Sequence, residues 1–307
     1  MPAQRVTVKV PATTANLGPA FDCMGMALDL FNTLTIGVSE RPSFQITGEG
    51  ETFLPRGPEN RIFKAVKAAY TEMARQMPGL EILCHNEIPL MRGLGSSAAA
   101  VLEGLAAANA LEGNPISIER LLDMAVETEG HPDNVAPALL GGCQIVVRDE
   151  QKGEKLITSR VKIAEGLKAV LFVPDFQMST GKARALLTRD ISRGSAIFNI
   201  GRTALLCNAL STGNWCDLAI ATRDKLHQTA REAMFPAMPE IIEAALAAGA
   251  HGAFLSGAGS TIIAFATEKE PQIGEAMSQA AARAKVAGKT MTLNPTDAGT
   301  QILETRE

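Results

Sequence analysis

A glycine-rich loop at the start of a long alanine-rich segment constrains this chain more than any other local feature. The loop is Gly93-Leu94-Gly95-Ser96-Ser97-Ala98, and the spacing of apolar residues from Ser97 to Leu111 predicts a helix. Glycines let the backbone approach an anion closely, and the first amides of a helix are unpaired donors at its positive end. The sequence therefore predicts a phosphate-binding loop that leads into a helix.

Two well-known phosphate-binding patterns fit this loop poorly. A Walker A loop requires a lysine that is missing here. The loop does match the loose dinucleotide-binding pattern GxGxxA, but Pro89 interrupts the segment where a strand should lead in, and Glu112 ends the helix instead of following a second parallel strand. A phosphate-binding loop of another class is the better prediction, and a glycine-serine helix cap without a ligand is the alternative.

Hydrophobic periodicity divides the first half of the chain into strands and helices. Alternating apolar residues predict strands over 1–10 and 28–38, with a turn-rich segment over 11–25 between them. Helical spacing over 59–77 ends at Pro78-Gly79. The other elements predicted here are strands at 80–85 and 143–148, helices at 97–111 and 117–128, a short helix after residue 134, and a hairpin loop or linker at 149–155.

The second half has a different order of elements. The sequence predicts a strand at 168–173, several helices within 181–248, strands at 252–256 and 261–266 around a glycine loop, a helix at 270–287 and a strand from 289 onward. Without the inserted helices, this is the β-α-β-β-α-β order of ferredoxin-like domains. The predicted fold class is therefore α+β, with one domain over 1–163 and a second over 164–307.

Composition excludes several classes of function. Aromatic residues make up only 4% of the chain, and 29 basic and 33 acidic residues give a net charge of −4, so nucleic-acid binding is not predicted. No uncharged apolar run approaches the ~18 residues of a membrane span, so no membrane partner is predicted. The five cysteines are scattered without a CxxC spacing, which disfavours a disulfide framework or a zinc site and favours a reducing, cytoplasmic location.

Three segments, in this order, resemble motifs of the GHMP small-molecule kinases. They are residues 11–22 (PATTANLGPAFD), 89–99 (PLMRGLGSSAA) and 255–261 (LSGAGST). The resemblance implies the two-domain GHMP kinase fold, with a ribosomal protein S5 domain 2-like N-terminal part and a ferredoxin-like C-terminal part. It also implies ATP-dependent phosphorylation of a small alcohol. Ala20, Thr188 and Ser260 depart from the family pattern, which has Gly, Pro and Pro there, and Ala20 is expected to reshape the substrate loop slightly.

Within that family, residues 15–18 (ANLG) with 21–22 (FD), residues 131–137 (HPDNVAP) and residues 179–184 (STGKAR) are similar to the homoserine kinases. This resemblance implies L-homoserine as the substrate and O-phospho-L-homoserine, on the way to threonine, as the product. Arginine suits the substrate carboxylate because its planar fork pairs with both oxygens. The substrate-binding residues that the resemblance implies are Asn16, Asp22, Asn134, Thr180, Arg184, Arg231, Gly257 and Gly259. The alternative is that the arginines are solvated surface residues and that Asn16, Asp22 and Thr180 cap turns or backbone groups.

The same resemblance implies the residues that hold the nucleotide. The ATP contacts that it assigns are Pro89, Arg92, Gly93, Leu94, Gly95, Ser96, Ser97, Ala98 and Ala99. The magnesium ion that accompanies ATP prefers oxygen ligands, and the family pattern places it at Ser97 and at one acid of the 127–129 segment. Glu129 is the predicted ligand in preference to Glu127, and the alternative is that both are part of a solvated helix end.

The catalytic position is distinctive. Several relatives carry an Asp and a Lys that can deprotonate or polarise the attacking hydroxyl, whereas the corresponding positions here are Asn134 and Thr13 or Thr14. Asparagine cannot accept a proton, but phosphoryl transfer depends mainly on positioning and charge stabilisation. We predict that Asn134 is the catalytic residue, that it orients the hydroxyl, and that the proton leaves by way of a phosphate oxygen. His131 is a less favoured base because it adjoins Pro132 in a loop.

Two other functions remain open at this point. The chain could phosphorylate another alcohol, such as a mevalonate-like acid or a sugar, or it could be a non-catalytic small-molecule sensor on the same fold. The combination of Arg184, Arg231 and Asp22 favours an amino acid, and the presence of Ser97 and Glu129 disfavours a sensor. The expected partners are a small-molecule substrate and, because GHMP kinases are often dimers, a second copy of the chain.

Overall fold

The computed structural model describes residues 4–152 and 155–306. The first strand lies in the larger of its two sheets. In β1 (Arg5–Ala15), the side chains of Val6, Val8 and Val10 are fully buried, which confirms the predicted alternation. β1 pairs antiparallel with β2 (Met24–Val38), and the register shifts between Pro11 and Ala12. The shift accommodates a proline, which donates no ladder hydrogen bond. The prediction of a turn from residue 11 was therefore wrong, because the strand continues to Ala15.

Four further strands extend this sheet. β4 (Leu80–Asn86) pairs antiparallel with β2, and β3 (Ser43–Gly48) pairs parallel with β4. β5 (Cys143–Asp149) pairs with the start of β2, and β6 (Lys155–Val161) pairs with β5. Asp149 lies opposite Lys155, so the predicted hairpin is confirmed, although residues 153 and 154 lie outside the described part of the chain. The hydrophobic pattern missed β3 because Ile46 is its only buried residue.

The helices of the first half pack around one central helix. They are α1 (Arg61–Glu72), α2 (Ser96–Leu111), α3 (Ile118–Glu129) and α4 (Val135–Leu140). α2 is buried from Ala98 to Leu111 apart from Ala100, and it contacts α1, α3, α4, β1 and β2. Its alanine content follows from this crowding, because small side chains let neighbouring elements approach. A Cβ atom at Gly104 would lie 2.6 Å from the carbonyl oxygen of Ile62 in α1.

The second sheet has the strand order β10-β7-β9-β8, and all of its pairs are antiparallel. Its strands are β7 (Lys168–Pro174), β8 (Gly252–Leu255), β9 (Ile262–Ala266) and β10 (Gly288–Leu293). The helices between β7 and β8 are α5 (Thr180–Ala185), α6 (Arg193–Thr212), α7 (Leu218–Ala221), α8 (Gln228–Arg231) and α9 (Met238–Ala247), and α10 (Glu270–Arg283) follows β9. Because α9 and α10 contact this sheet, the ferredoxin-like order with inserted helices is confirmed.

The end of the described chain returns to the first sheet. β11 (Gln301–Arg306) pairs antiparallel with β1, although the predicted second domain included these residues. Leu206, Ala209 and Leu210 of α6 also belong to the large hydrophobic core that the first sheet shares with α2. The division at residues 163 and 164 thus stays a prediction, with chain segments crossing it. Among the described residues, no helix is long and apolar enough to cross a bilayer.

Candidate active site

The three motif segments of the sequence meet at one cavity of about 640 Å³. The hydroxyl of Ser256 lies 2.6 Å from the carbonyl oxygen of Gly93 and 2.9 Å from the hydroxyl of Thr14. The amide of Gly257 donates to the carbonyl oxygen of Ala15 at 3.0 Å. The segments around residues 14, 93 and 256 are thus joined directly, and residues from both halves of the chain line the cavity.

Two glycines of the 93–98 loop occupy positions that admit no side chain. A Cβ atom at Gly93 would lie 2.1 Å from the carbonyl oxygen of Ser256, and one at Gly95 would lie 2.0 Å from Oγ1 of Thr13. Both glycines have a positive φ, of 76° and 71°. Gly95 is the N-cap of α2, and no side chain caps that end. The first amides of α2, at residues 96–98 in the cavity wall, are therefore donors without helical acceptors.

The predicted ATP contacts divide into two groups. Gly93, Gly95, Ser96, Ser97 and Ala98 line the cavity, whereas Pro89, Arg92, Leu94 and Ala99 do not. Leu94 and Ala99 are fully buried in the core. Arg92 donates from Nε and Nη2 to the carbonyl oxygens of Pro174 and Asp175, each at 2.7 Å, and so ties the loop to the end of β7. Side-chain contact with ATP at these four positions therefore lacks support from the geometry.

The predicted metal-binding pair is assembled at the cavity wall. The hydroxyl of Ser97 donates to Oε1 of Glu129 at 2.7 Å, and Nη1 of Arg61 donates to the same oxygen at 2.8 Å. The side chain of Glu129 is only 7% exposed. Glu127 is 64% exposed and pairs with Arg120 at 2.7 Å, away from the cavity. The geometry therefore favours Glu129 over Glu127 as a ligand.

Asn134 is held by two neighbours at the cavity wall. Its Oδ1 accepts a hydrogen bond from Oγ1 of Thr13 at 2.9 Å, and its backbone amide donates to Oδ1 of Asp133 at 3.1 Å. The same Asp133 oxygen lies 2.9 Å from Nδ1 of His131. The hydrogen bond to Asp133 is the main cause that raises the pKa of His131.

Two predicted substrate residues form a bidentate ion pair. Nη1 and Nη2 of Arg184 donate to the carboxylate of Asp22 at 2.8 and 2.6 Å. Arg184 lines the cavity, whereas Asp22 does not line it, although its side chain is 33% exposed. The backbone amide of Asp22 donates to Oδ1 of Asn16 at 3.0 Å, and Nδ2 of Asn16 donates to the carbonyl oxygen of Gly257 at 3.0 Å. Asn16 thus ties the 16–22 turn to the last motif segment.

The side chain of Arg231 carries a guanidinium group that is almost completely buried, since only 1% of the residue is exposed. Its Nη1 donates to the carbonyl oxygen of Gly257 at 2.7 Å and lies 2.8 Å from Nδ1 of His227. Its Nε has no hydrogen-bond partner among the described residues. Burial is the main cause that lowers the pKa of Arg231, to about 10, and the charge of Arg184 adds to it. Arg231 lines the cavity, so it places a positive charge and the unpaired Nε donor at the cavity wall.

Of the three predicted substrate residues not yet described, two line the same cavity. Thr180 and Gly257 line the cavity. Gly259 does not line it, and a Cβ atom there would lie 2.8 Å from Sδ of Met178. Gly259 therefore allows the last motif segment to pack closely, and a direct contact with the substrate lacks support from the geometry.

Comparisons with known proteins agree with the motif pattern. The family model "GHMP kinases N terminal domain" matches residues 60–142, and "GHMP kinases C terminal" matches residues 207–283. A homoserine kinase of Moorella thermoacetica is 43% identical over 96% of this chain and 99% of that protein. The chain belongs to the homoserine kinases of the GHMP kinase family. A homoserine kinase of Thermosynechococcus vestitus is 42% identical over 84% of this chain and 85% of that protein.

The fold comparison agrees as well. A crystal structure of homoserine kinase from Cytophaga hutchinsonii superposes with a TM-score of 0.86, covers 98% of both chains and is 28% identical. The two-domain GHMP kinase fold expected from the motifs is therefore present over the full length of the alignment.

Sequence reasoning missed the residues that position Arg231 in this homoserine kinase family member. Nε2 of His227 lies 2.7 Å from the carbonyl oxygen of Gly18, so this nitrogen carries the proton and Nδ1 accepts from Arg231. Burial is the main cause that lowers the pKa of His227, to about 4, which keeps the ring neutral. The spacing of His227 and Arg231 by one helical turn was the available signal, but nothing in the sequence pairs His227 with Gly18.

Proposed function

We propose that this chain transfers the γ-phosphoryl group of ATP to the side-chain hydroxyl of L-homoserine, giving ADP, O-phospho-L-homoserine and a proton. The two relatives described above, which match over 96% and 84% of the chain, are named homoserine kinases. The phosphate-binding loop at the start of α2 and the two arginines at the same cavity support the proposal independently.

The observation that carries the choice of an amino acid is the pairing of Arg184 with Asp22 beside the buried Arg231. A zwitterion brings a carboxylate for the guanidinium groups and an ammonium group for the carboxylate of Asp22. Binding then exchanges one internal ion pair for contacts with the substrate, and the net charge of the site is unchanged. A sugar offers neither charge, and mevalonate offers no ammonium group.

Ser97 and Glu129 fit the requirements of a magnesium ion. They supply a hydroxyl and a carboxylate oxygen 2.7 Å apart, which are the hard ligands that Mg²⁺ combines with nucleotide phosphates. When bound, the ion supplies charge neutralisation for the transferring phosphoryl group. Arg61, which donates to Glu129 at the same place, adds a second positive charge near the phosphates.

The chain's own residues act by positioning. Asn134, fixed by Thr13 and Asp133, orients the substrate hydroxyl toward the phosphate loop, and the first amides of α2 hold the phosphates. Asn134 cannot take the proton, and Nδ1 of His131 is engaged by Asp133. The proton therefore leaves by way of an oxygen of the transferred phosphate, as the loose transition state of phosphoryl transfer permits.

A steady-state assay with ATP, Mg²⁺ and a panel of alcohols tests the proposal. We expect turnover of L-homoserine and much slower turnover of mevalonate and galactose. In Arg231→Lys, which keeps the charge and loses the planar fork, the KM for homoserine should rise about tenfold or more while the KM for ATP stays unchanged. Arg120→Ala, on the outer surface, is the matched control.

Each contrary outcome of this assay has a defined meaning. Turnover of mevalonate or galactose without turnover of homoserine would replace the proposed substrate. Nucleotide binding without turnover of any alcohol would favour the sensor function over the kinase.

A further inference from the structure

The cavity that contains the phosphate loop is also lined by apolar side chains and by two buried asparagines. The apolar lining includes Ile46, Leu54, Ile62 and Leu90, and the asparagines are Asn32 and Asn86. Asn32 is 2% exposed and Asn86 is 6% exposed. Apolar walls with a few fixed polar groups are typical of a site that takes a flat heterocyclic ring.

The sheet register places the two asparagines side by side. Thr33 of β2 lies opposite His85 of β4, so the preceding Asn32 lies across from the following Asn86, and both project from the same face of the sheet. Leu34 and Cys84 each lie two residues along the strand from one of the asparagines, so they share the same face, and because both are buried in the core with α2, this is the face that α2 covers.

Hydrogen bonds fix which way each amide points. Oδ1 of Asn32 accepts from the backbone amides of Glu87 and Ile88 at 2.9 and 3.0 Å, so its amide nitrogen is left as a donor. Nδ2 of Asn86 donates to the carbonyl oxygen of Glu49 at 3.0 Å, so its Oδ1 is left as an acceptor. Within the described residues neither remaining group has a partner, and the cavity therefore presents one donor beside one acceptor.

A buried carboxyl group lies behind Asn32. Glu103, in the second turn of α2, is 0% exposed, and neither of its oxygens has a hydrogen-bond partner among the described residues. Burial raises the pKa of Glu103 to about 8, and the side chain of Asn32 moderates that rise. An unpartnered carboxyl group is costly in a core and needs a reason. The carboxyl group of Glu103 lies close to the side chain of Asn32, where it can orient the Asn32 amide.

We propose that Asn32 and Asn86 select adenine over other purines, and that Glu103 is the positioning residue that aims the Asn32 amide at the base. Adenine presents an amino donor next to a ring-nitrogen acceptor, on either of its two hydrogen-bonding edges. Guanine and hypoxanthine present a carbonyl oxygen where adenine has its amino group, and this oxygen would face Oδ1 of Asn86. The inference rests on the proposed use of ATP and adds the residues that choose its base.

The test is calorimetric binding of ADP and IDP, which needs no turnover of homoserine. Wild-type protein should bind ADP about tenfold or more tightly than IDP, the difference expected for mismatched hydrogen bonds. Asn32→Asp keeps the oxygen that anchors residues 87 and 88 and replaces the donor by an acceptor. It should weaken ADP binding about tenfold and bring the ADP-to-IDP ratio close to one.

Glu103 is tested by a pair of variants that separate positioning from folding. Glu103→Leu removes an unpartnered buried carboxyl, so it should unfold at the same temperature as the wild type or higher, yet lose most of the ADP-to-IDP ratio. Glu103→Gln keeps an oxygen behind Asn32 and should restore the ratio. Asn109→Ala, which removes a buried side chain of the same helix that bonds to the backbone of Ile116, should lower stability and leave the ratio unchanged.

The possible failures are distinct. If wild-type protein binds IDP as tightly as ADP, or if Asn32→Asp and Glu103→Leu both keep the wild-type ratio, base selection by these residues is overturned and the kinase function stands. If wild-type protein binds neither nucleotide, the use of ATP itself is overturned.

Discussion

Arg231 and Glu103 are both removed from solvent, and burial moves their pKa values in opposite directions. The pKa of Arg231 falls to about 10 and that of Glu103 rises to about 8, in each case chiefly because the charged form loses its hydration. At neutral pH the arginine therefore remains a cation, and the carboxyl group remains largely neutral. Burial therefore leaves Arg231 charged, so that it can bind an anionic substrate, and leaves Glu103 neutral, so that it can be accommodated in the core.

The pH dependence of stability should report the proton on Glu103. The folded state keeps that proton up to about pH 8, whereas the unfolded chain releases it near its ordinary pKa of 4.5. The folded state therefore binds more protons across this window, and the free energy of unfolding falls as pH rises from about 4.5 to 8. At about 1.4 kcal/mol per pKa unit, the loss is at most roughly 5 kcal/mol.

Urea unfolding of wild type and Glu103→Gln at pH 5 and pH 8 measures this effect. The variant should gain stability relative to the wild type as pH rises, because its amide does not titrate. His131, whose pKa is also raised, is present in both proteins and cancels in the difference. A difference between the two proteins that is constant over this range would contradict the assignment.

The role of Asn134 gives a second prediction for a single residue. Asn134→Ala removes the amide that orients the hydroxyl, and kcat should fall about tenfold or more with little change in the KM for ATP. Thr13→Val, which removes the hydroxyl that holds Oδ1 of Asn134, should lower kcat by a smaller factor. Wild-type kcat in Asn134→Ala would rule out the orienting role.

At the scale of elements, α2 joins the phosphate loop to the core. The sequence predicted this helix within one residue of its observed start, because glycines stop the preceding chain and alanines continue without interruption. β3 was missed because only Ile46 of that strand is buried, and the extension of β1 past Pro11 was missed because proline and threonine also suit turns. Local composition therefore predicts elements that carry a strong apolar pattern and fails where tertiary pairing decides the conformation.

The start of α2 can be tested with two glycines of similar backbone conformation. Gly95→Ala places a Cβ atom 2.0 Å from Oγ1 of Thr13, whereas Gly113→Ala, also at positive φ, meets nothing within 4 Å. Both variants carry the strain of a left-handed alanine, of about 1–2 kcal/mol. Only Gly95→Ala should also displace the loop and raise the KM for ATP, about tenfold or more in a steady-state assay. Equal ATP kinetics in the two variants would contradict a phosphate-binding role for this loop.

At the scale of the whole molecule, the site depends on contacts between distant parts of the chain. The motif segments could be predicted to meet because their family pattern is known. The role of His227 could not be predicted, because it depends on a hydrogen bond to Gly18, which lies 209 residues earlier in the chain. The same holds for Glu103, which looks like an ordinary helix residue until the packing of α2 against β2 brings it close to Asn32. Sequence reasoning thus predicts residues with a motif and misses those defined by packing alone.

A fragment experiment tests whether the two predicted domains are independent. Residues 1–163 alone lack β11, which pairs with β1, and the side chains of α6 that complete the first core. We expect this fragment to show no cooperative thermal transition by circular dichroism, in contrast to the full chain. Adding the 164–307 fragment should restore a transition at least in part. A cooperative transition of 1–163 by itself would show that the division at 163 and 164 marks an autonomous unit.

The pairing of β11 with β1 also bears on how the chain is made. Val8 and Ile302 are register partners, so roughly 300 residues are synthesised after β1 before its second neighbour exists. Throughout that time, the outer edge of β1 offers unpaired backbone groups to any other extended chain. Nascent chains on one polysome have the same sequence, so each carries the same β1 edge and, once it is synthesised, the same β11. Exchange of β11 between neighbouring chains is therefore the misassembly to which this topology exposes the protein during translation.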